Sequence, residues 1–123
     1  MPKKHILLLN PHNTFREAIA MKLNQEPGLE VVWQAGSLEE AHGVHLDGID
    51  LAVVDPVLLG GDEGMVLVRE VSVANPNASA LVLTSSLDPA VREGAFRAGA
   101  VEVLTTSANG EEVINVIRRF AGG

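Results

Sequence analysis

The stretch that most constrains the fold is Asp50-Leu51-Ala52-Val53-Val54-Asp55-Pro56. Leu51 to Val54 is apolar without alternation, and it stops on a carboxylate followed by a proline, which lacks an N–H. An unalternating apolar run bounded by turn residues reads as a strand buried on both faces, the situation of a parallel sheet between layers of helices. In an open α/β sheet, ligands gather beyond the carboxyl ends of the strands, so Asp55 stands where function concentrates. The residue-level alternative is that Asp55 serves only its own turn, as strand-end acids do.

Similar runs recur through the chain, each followed by a helical pattern. His5 to Leu9 is apolar after its first residue, and Asn10-Pro11-His12-Asn13 stops it with turn chemistry. Thr14 and Glu17 form a capping box, and Phe15, Ala18, Ile19 and Leu23 form a helical stripe reaching about Gln25. Pro27-Gly28 is a turn before a second strand at Val31-Val32-Trp33, which ends near Ala35-Gly36. Ser37 and Glu40 cap a short helix from Leu38 to about Val44. The strand ending at Asp55 is third, followed by a loop through Gly60-Gly61 and a helix from Met65 to Ala74, with Leu67, Val68 and Val71 facing inward.

Ala80 to Thr84 is the fourth strand, and Asp88-Pro89 caps a helix that Gly99 terminates. Val101 to Thr105 is the fifth. Asn109 and Glu112 cap a last helix with Val113, Val116, Ile117 and Phe120 at spacings of three and four. Five strands alternating with five helices require parallel pairing with helices on both faces, in a single domain over residues 1–123.

Composition narrows the function. There are nine basic and sixteen acidic residues, and the net charge of -7 repels nucleic-acid backbones and anionic lipid. Aromatic residues are 3% of the chain, too few for base-stacking platforms. Direct nucleic-acid or membrane binding by this domain is therefore not expected. The chain has no cysteine, which excludes disulfides, thiolate metal sites and thiol catalysis. The apolar run behind Met1-Pro2-Lys3-Lys4 is too short for a signal peptide or a membrane span, so a cytoplasmic protein is expected.

The order of elements, with Asp55 ending the third strand, resembles the receiver domain of two-component response regulators. The local pieces carrying the likeness are Phe15-Arg16-Glu17, Leu81-Val82-Leu83-Thr84 and Arg97-Ala98-Gly99-Ala100, most like receivers that precede a helix-turn-helix domain of the LuxR or NarL kind. The resemblance implies a flavodoxin-like, CheY-like three-layer sandwich whose five-stranded parallel sheet has the order 2-1-3-4-5. It implies that Asp55 is the position accepting a phosphoryl group from a sensor histidine kinase and that Thr84 is the switch hydroxyl, with small Ser85 beside it.

Three other positions depart from the family pattern. The acidic pair that holds Mg²⁺ in the family falls on Asn10 and Pro11, the lysine that would ion-pair with the phosphoryl group on Thr106, and the aromatic switch on Val103. Mg²⁺ prefers oxygen ligands, usually carboxylates and phosphate, and Asp55 alone is a weak candidate ligand. Thr106 can donate a hydrogen bond but cannot neutralise charge. The expectation is an atypical receiver without a cofactor, or with weakly held Mg²⁺, that signals through a histidine kinase, another signalling protein or a homodimer. DNA would be reached only through a downstream helix-turn-helix domain. The alternatives are a working phospho-receiver and a small-ligand-binding flavodoxin-like module. No nucleophile stands with a base, so an enzyme is not expected.

The remaining polar residues have ordinary roles beside sharper ones. The hydroxyls of Thr84, Ser85, Ser86, Thr105, Thr106 and Ser107 could line an anion crevice or serve turn backbone. Asp62 and Glu63 could assist a metal or sit as solvated acids near a helix start. His5 and His12 lack a second histidine at ligand spacing and read as surface residues. Arg92, Arg97, Glu102, Glu112, Arg118 and Arg119 form either a solvated face or a surface for self-association.

Overall fold

Every residue between Leu51 and Val54 is buried, as the unbroken apolar run requires. The structure is a computed structural model that describes residues 3–43, 46–55, 62–105 and 110–120. In chain order the elements are β1 (Lys4–Leu9), α1 (Asn13–Asn24), β2 (Leu29–Ala35), α2 (Leu38–Ala41), a 3₁₀ turn (Leu46–Gly48), β3 (Leu51–Val54), α3 (Asp62–Ala74), β4 (Ser79–Thr84), α4 (Pro89–Ala98), β5 (Glu102–Thr105) and α5 (Gly110–Phe120). All strand pairs are parallel, in the order β2-β1-β3-β4-β5.

Because successive strand residues point to opposite faces, each central strand feeds two cores. Leu7, Leu9, Ala52, Val54, Ala80 and Val82 pack with Leu67, Val68 and Val71 of α3 and Ala95 and Ala98 of α4. Ile6, Leu8, Leu51, Val53, Leu81 and Leu83 pack with Ile19 and Leu23 of α1 and Val113, Ile114 and Ile117 of α5. The result is the expected three-layer arrangement, with both sheet faces covered.

Local signals explain most boundaries. The Ser37 hydroxyl accepts from the Glu40 amide at 3.1 Å, and the Glu40 carboxylate reaches one residue further back, to the Gly36 amide at 2.8 Å. Asp88 accepts from the Ala90 amide at 2.9 Å, with Pro89 in the first turn. Gly99 ends α4 at φ 116°, where a side chain would be strained and a Cβ would collide with the Ser72 hydroxyl.

Several expectations need correction. Thr14 does not cap α1; His12 is the N-cap, without a side-chain cap bond, and Thr14 lies inside the helix. Ala18 is exposed, while Ala20 is buried beside Ile19 and Leu23, so the buried stripe is centred one residue later than the spacing suggested. β2 ends at Ala35 as expected but begins earlier, at Leu29, α3 begins at Asp62, and α2 is a single turn ending at Ala41. Val44, Gly60, Gly61 and Asn109, which carry expected boundaries, lie outside the described residues.

Candidate functional site

β1 and β3 are neighbours in the sheet, yet α1 covers one face and α3 the other. The two chain exits therefore diverge beyond Leu9 and Val54 and leave a crevice between them, the switch point of an open α/β sheet. The last register pair, Leu9 with Val54, is extended by a bond from the Asp55 amide to the Leu9 carbonyl at 3.0 Å. Asp55 is thereby fixed by backbone at the edge of this crevice.

The buried polar residues among those described are Asn10, Asp55 and Thr84, with exposures of 6%, 1% and 1%. All stand at the carboxyl ends of adjacent strands: Asn10 after β1, Asp55 after β3 and Thr84 as the last residue of β4. Burying a polar side chain costs free energy unless it is bonded, so their gathering at one end of the sheet marks a site rather than an accident of packing.

Asn10 is held on several sides. Its amide donates to the Ala35 carbonyl at 3.0 Å, and its side-chain oxygen accepts from the His12 amide at 2.8 Å, a turn closed by an Asn side chain. Its carbonyl accepts from Nη1 of Arg16 at 2.7 Å, while Arg16 Nε reaches Gln34 at 3.3 Å. Asn10, Arg16 and Asp55 share the lining of a cavity of about 10 Å³, with Phe15, Ile19 and Leu83 among its apolar walls. That is room for about one water molecule.

Thr84 follows a different pattern. Its hydroxyl oxygen accepts from the Ser86 amide at 3.1 Å, and the Ser86 hydroxyl accepts from the Asp88 amide at 3.2 Å. The hydroxyl run thus serves turn backbone leading into α4. A hydroxyl has two lone pairs and one proton, so this bond leaves Thr84 able to donate.

Val103 is 7% exposed, paired with Val82, and its carbonyl accepts from Arg92 Nη1 at 3.4 Å. Pro11 is half-buried next to Asn10. Thr106 and Ser107 lie outside the described residues, as do the side chains of Asp62 and Glu63, whose backbone opens α3. Asn10 and Asp55 are thus brought together, Thr84 lies on the next strand, and Val103 lies one strand further out.

Arg16 was singled out in the sequence only as part of a short likeness, not as a group at the site. Its place three residues into the helix after β1 was the available signal, since the first turn after a strand overlooks the strand ends. Among the described residues, no group of three or more His, Asp or Glu is arranged to hold a metal ion. No helix there is long and apolar enough to cross a membrane.

No family model matches the chain. It is similar to the DNA-binding transcriptional activator DevR/DosR of Mycobacterium tuberculosis, 29% identical over 119 residues, covering 96% of this chain and 54% of that protein. The chain therefore spans about half the length of the curated relative it matches. A solved two-component response regulator of the LuxR family from Aurantimonas superposes with a TM-score of 0.85 at 27% identity, covering 98% of this chain and 86% of that one. The CheY-like receiver domain protein of Methanospirillum hungatei gives a TM-score of 0.83 at 19% identity, covering 97% and 94%, a likeness of fold. Strand order, the buried acid at the switch point and these likenesses lead to one conclusion: the chain has the CheY-like fold of response regulator receiver domains, and its sequence is similar to response regulators of the NarL/LuxR type.

Proposed function

We propose that this receiver signals through contacts with other proteins, with little or no Mg²⁺-dependent phosphorylation of Asp55. The observation that carries the reading is the occupancy of the crevice. Where a metal would need carboxylate oxygens from the end of β1, the chain offers Asn10 and Pro11. The Asn10 side-chain oxygen already accepts from the His12 amide, and its carbonyl from Arg16. Mg²⁺ demands near-octahedral oxygen coordination, and one carboxylate with a committed amide fits it poorly.

Phosphoryl transfer depends on positioning and on neutralising charge at the oxygens of the transferred group. Losing one such stabilising group typically costs about 100- to 1000-fold in rate. Here both the carboxylate pair and the lysine are replaced, the latter by Thr106. Arg16 does not restore the balance, because its Nη1 and Nε are turned to the Asn10 carbonyl and Gln34. Asp55 and Thr84 then act as retained switch positions, Asp55 by descent a phosphoacceptor, in a domain whose output is a change of partner rather than a chemical step.

The partners that fit this reading are a sensor histidine kinase or another signalling protein, and a second copy of the domain. The relative DevR/DosR is a DNA-binding transcriptional activator, which supports a role here as the regulatory half of a transcription regulator. DNA would then be contacted by a separate domain, since this one carries a net charge of -7.

The test is incubation with a small acyl phosphate in excess Mg²⁺, read by intact mass, with beryllofluoride titrated in parallel and Trp33 fluorescence followed. Trp33 is 38% exposed and its indole N–H donates to the Glu40 carbonyl at 3.0 Å, so it reports movement of the β2–α2 edge beside Gln34 and Asn10. The expected result is no phosphoryl adduct and no Mg²⁺-dependent change. Stoichiometric labelling of Asp55 would replace this reading with a working phospho-receiver.

A further inference from the structure

The face of α3 turned away from the core presents Val66, Arg69, Glu70 and Val73, at spacings of three, four and seven that put all of them on one stripe. Leu67, Val68 and Val71 on the other side of the helix are fully buried, so the stripe points outward. Val73 is 77% exposed. A single exposed valine needs no explanation, but here Val73 and the half-buried Val66 flank a pair of opposite charges, and with Leu46 and Ala74 they line one shallow groove of about 440 Å³. Arg69 is exposed and forms no ion pair among the described residues, while Glu70 is met by His42 Nε2 at 2.9 Å.

We infer that this stripe is a two-fold contact between two copies of the chain, α3 lying antiparallel on α3. About an axis passing between residues 69 and 70, Val66 meets the partner's Val73 and Arg69 meets the partner's Glu70. The same operation lays Val73 on the partner's Val66 and Glu70 beside the partner's Arg69, as an isologous interface requires. The order apolar, basic, acidic, apolar is its own complement when reversed.

Charge selects a second copy as the occupant. A chain of net charge -7 repels another like it over most of its surface. The stripe is neutral and pairs each charge with its opposite, so it is a place where two copies approach without that penalty. One helix face against another buries less than a standard interface, so the dimer is weak and concentration-dependent. The contact is independent of the chemistry at Asp55 and stands whether or not that residue takes a phosphoryl group.

The test is sedimentation equilibrium of the 123-residue chain over roughly a hundredfold range of concentration, together with charge reversals. Arg69→Glu and Glu70→Arg each set like charges against one another and should weaken the dimer by about tenfold. Combined, they re-create the pairing in reverse and should return the dissociation constant to within about threefold of the parent. His42→Ala, which removes the intramolecular partner of Glu70 from outside the stripe, should leave association unchanged. Monomer mass at every concentration overturns the proposal, including the case where a different protein fills the groove. So does a dimer indifferent to both single reversals, or one that the double reversal fails to rescue.

Discussion

The two ends of β3 carry the same residue type in opposite circumstances. At the amino end, Asp50 is half-buried, its carboxylate accepts from the His5 amide at 2.7 Å, and its own amide donates to the His5 carbonyl at 2.8 Å. Nearby, the Asn75 side-chain amide donates to the carbonyls of Ile49 at 3.0 Å and Asp47 at 3.2 Å, fastening the end of α3 to the 3₁₀ turn. The polar groups at this end hold backbone to backbone. At the carboxyl end, Asp55 is 1% exposed among Asn10, Arg16 and the walls of a cavity that admits about one water. A strand-end acid can therefore be a fastening or a site, and burial with polar neighbours, rather than residue type, separates the two.

That contrast is broken most severely at the fastening end. Asn75→Ala removes both carbonyl contacts and the acceptor for the Asn77 amide, leaving the carbonyl of the buried residue Ile49 without its side-chain donor. An unsatisfied buried group costs about 1–3 kcal/mol, and urea unfolding should show a loss in that range with an unchanged slope. Asp50→Asn keeps the shape and an acceptor but gives up the charge. Charge-assisted bonds are roughly twice as strong as neutral ones, so a loss of about 1 kcal/mol is expected. If either variant unfolds at the parent's midpoint, the amino end is not the fastening described.

What the sequence made legible follows from the range of each interaction. The apolar runs, the cap at Asp88 and the stop at Gly99 depend on neighbours within a few residues, and they stand where expected. The position of Asp55 was readable because its strand is apolar throughout and its sheet edge is set by topology. The cap of α1 was misread because Asn10 folds its side chain onto the His12 amide, which starts the helix ahead of Thr14. Arg16 could not be placed, since its partners are a carbonyl six residues away and a glutamine on β2 eighteen residues away. The inward side of α3 was legible from the spacing of Leu67, Val68 and Val71, which are buried as expected, but the stripe on its outer face was not read from the sequence.

The gentlest substitution sharpens the contrast most. Asp55→Asn preserves shape and leaves the backbone bond from residue 55 to the Leu9 carbonyl intact, while deleting a charge that is almost wholly withdrawn from water. A buried carboxylate carries a desolvation cost that its amide does not, and residues kept for function are commonly not those best for stability. The change in unfolding free energy should lie within about 0.5 kcal/mol of zero, against the loss of about 1 kcal/mol for the same exchange at Asp50. Urea midpoints of the two variants, measured with the parent, decide the matter. A loss at Asp55 as large as that at Asp50 would make both carboxylates fastenings, and the case for a retained switch position would then rest on Thr84 and Asn10 alone.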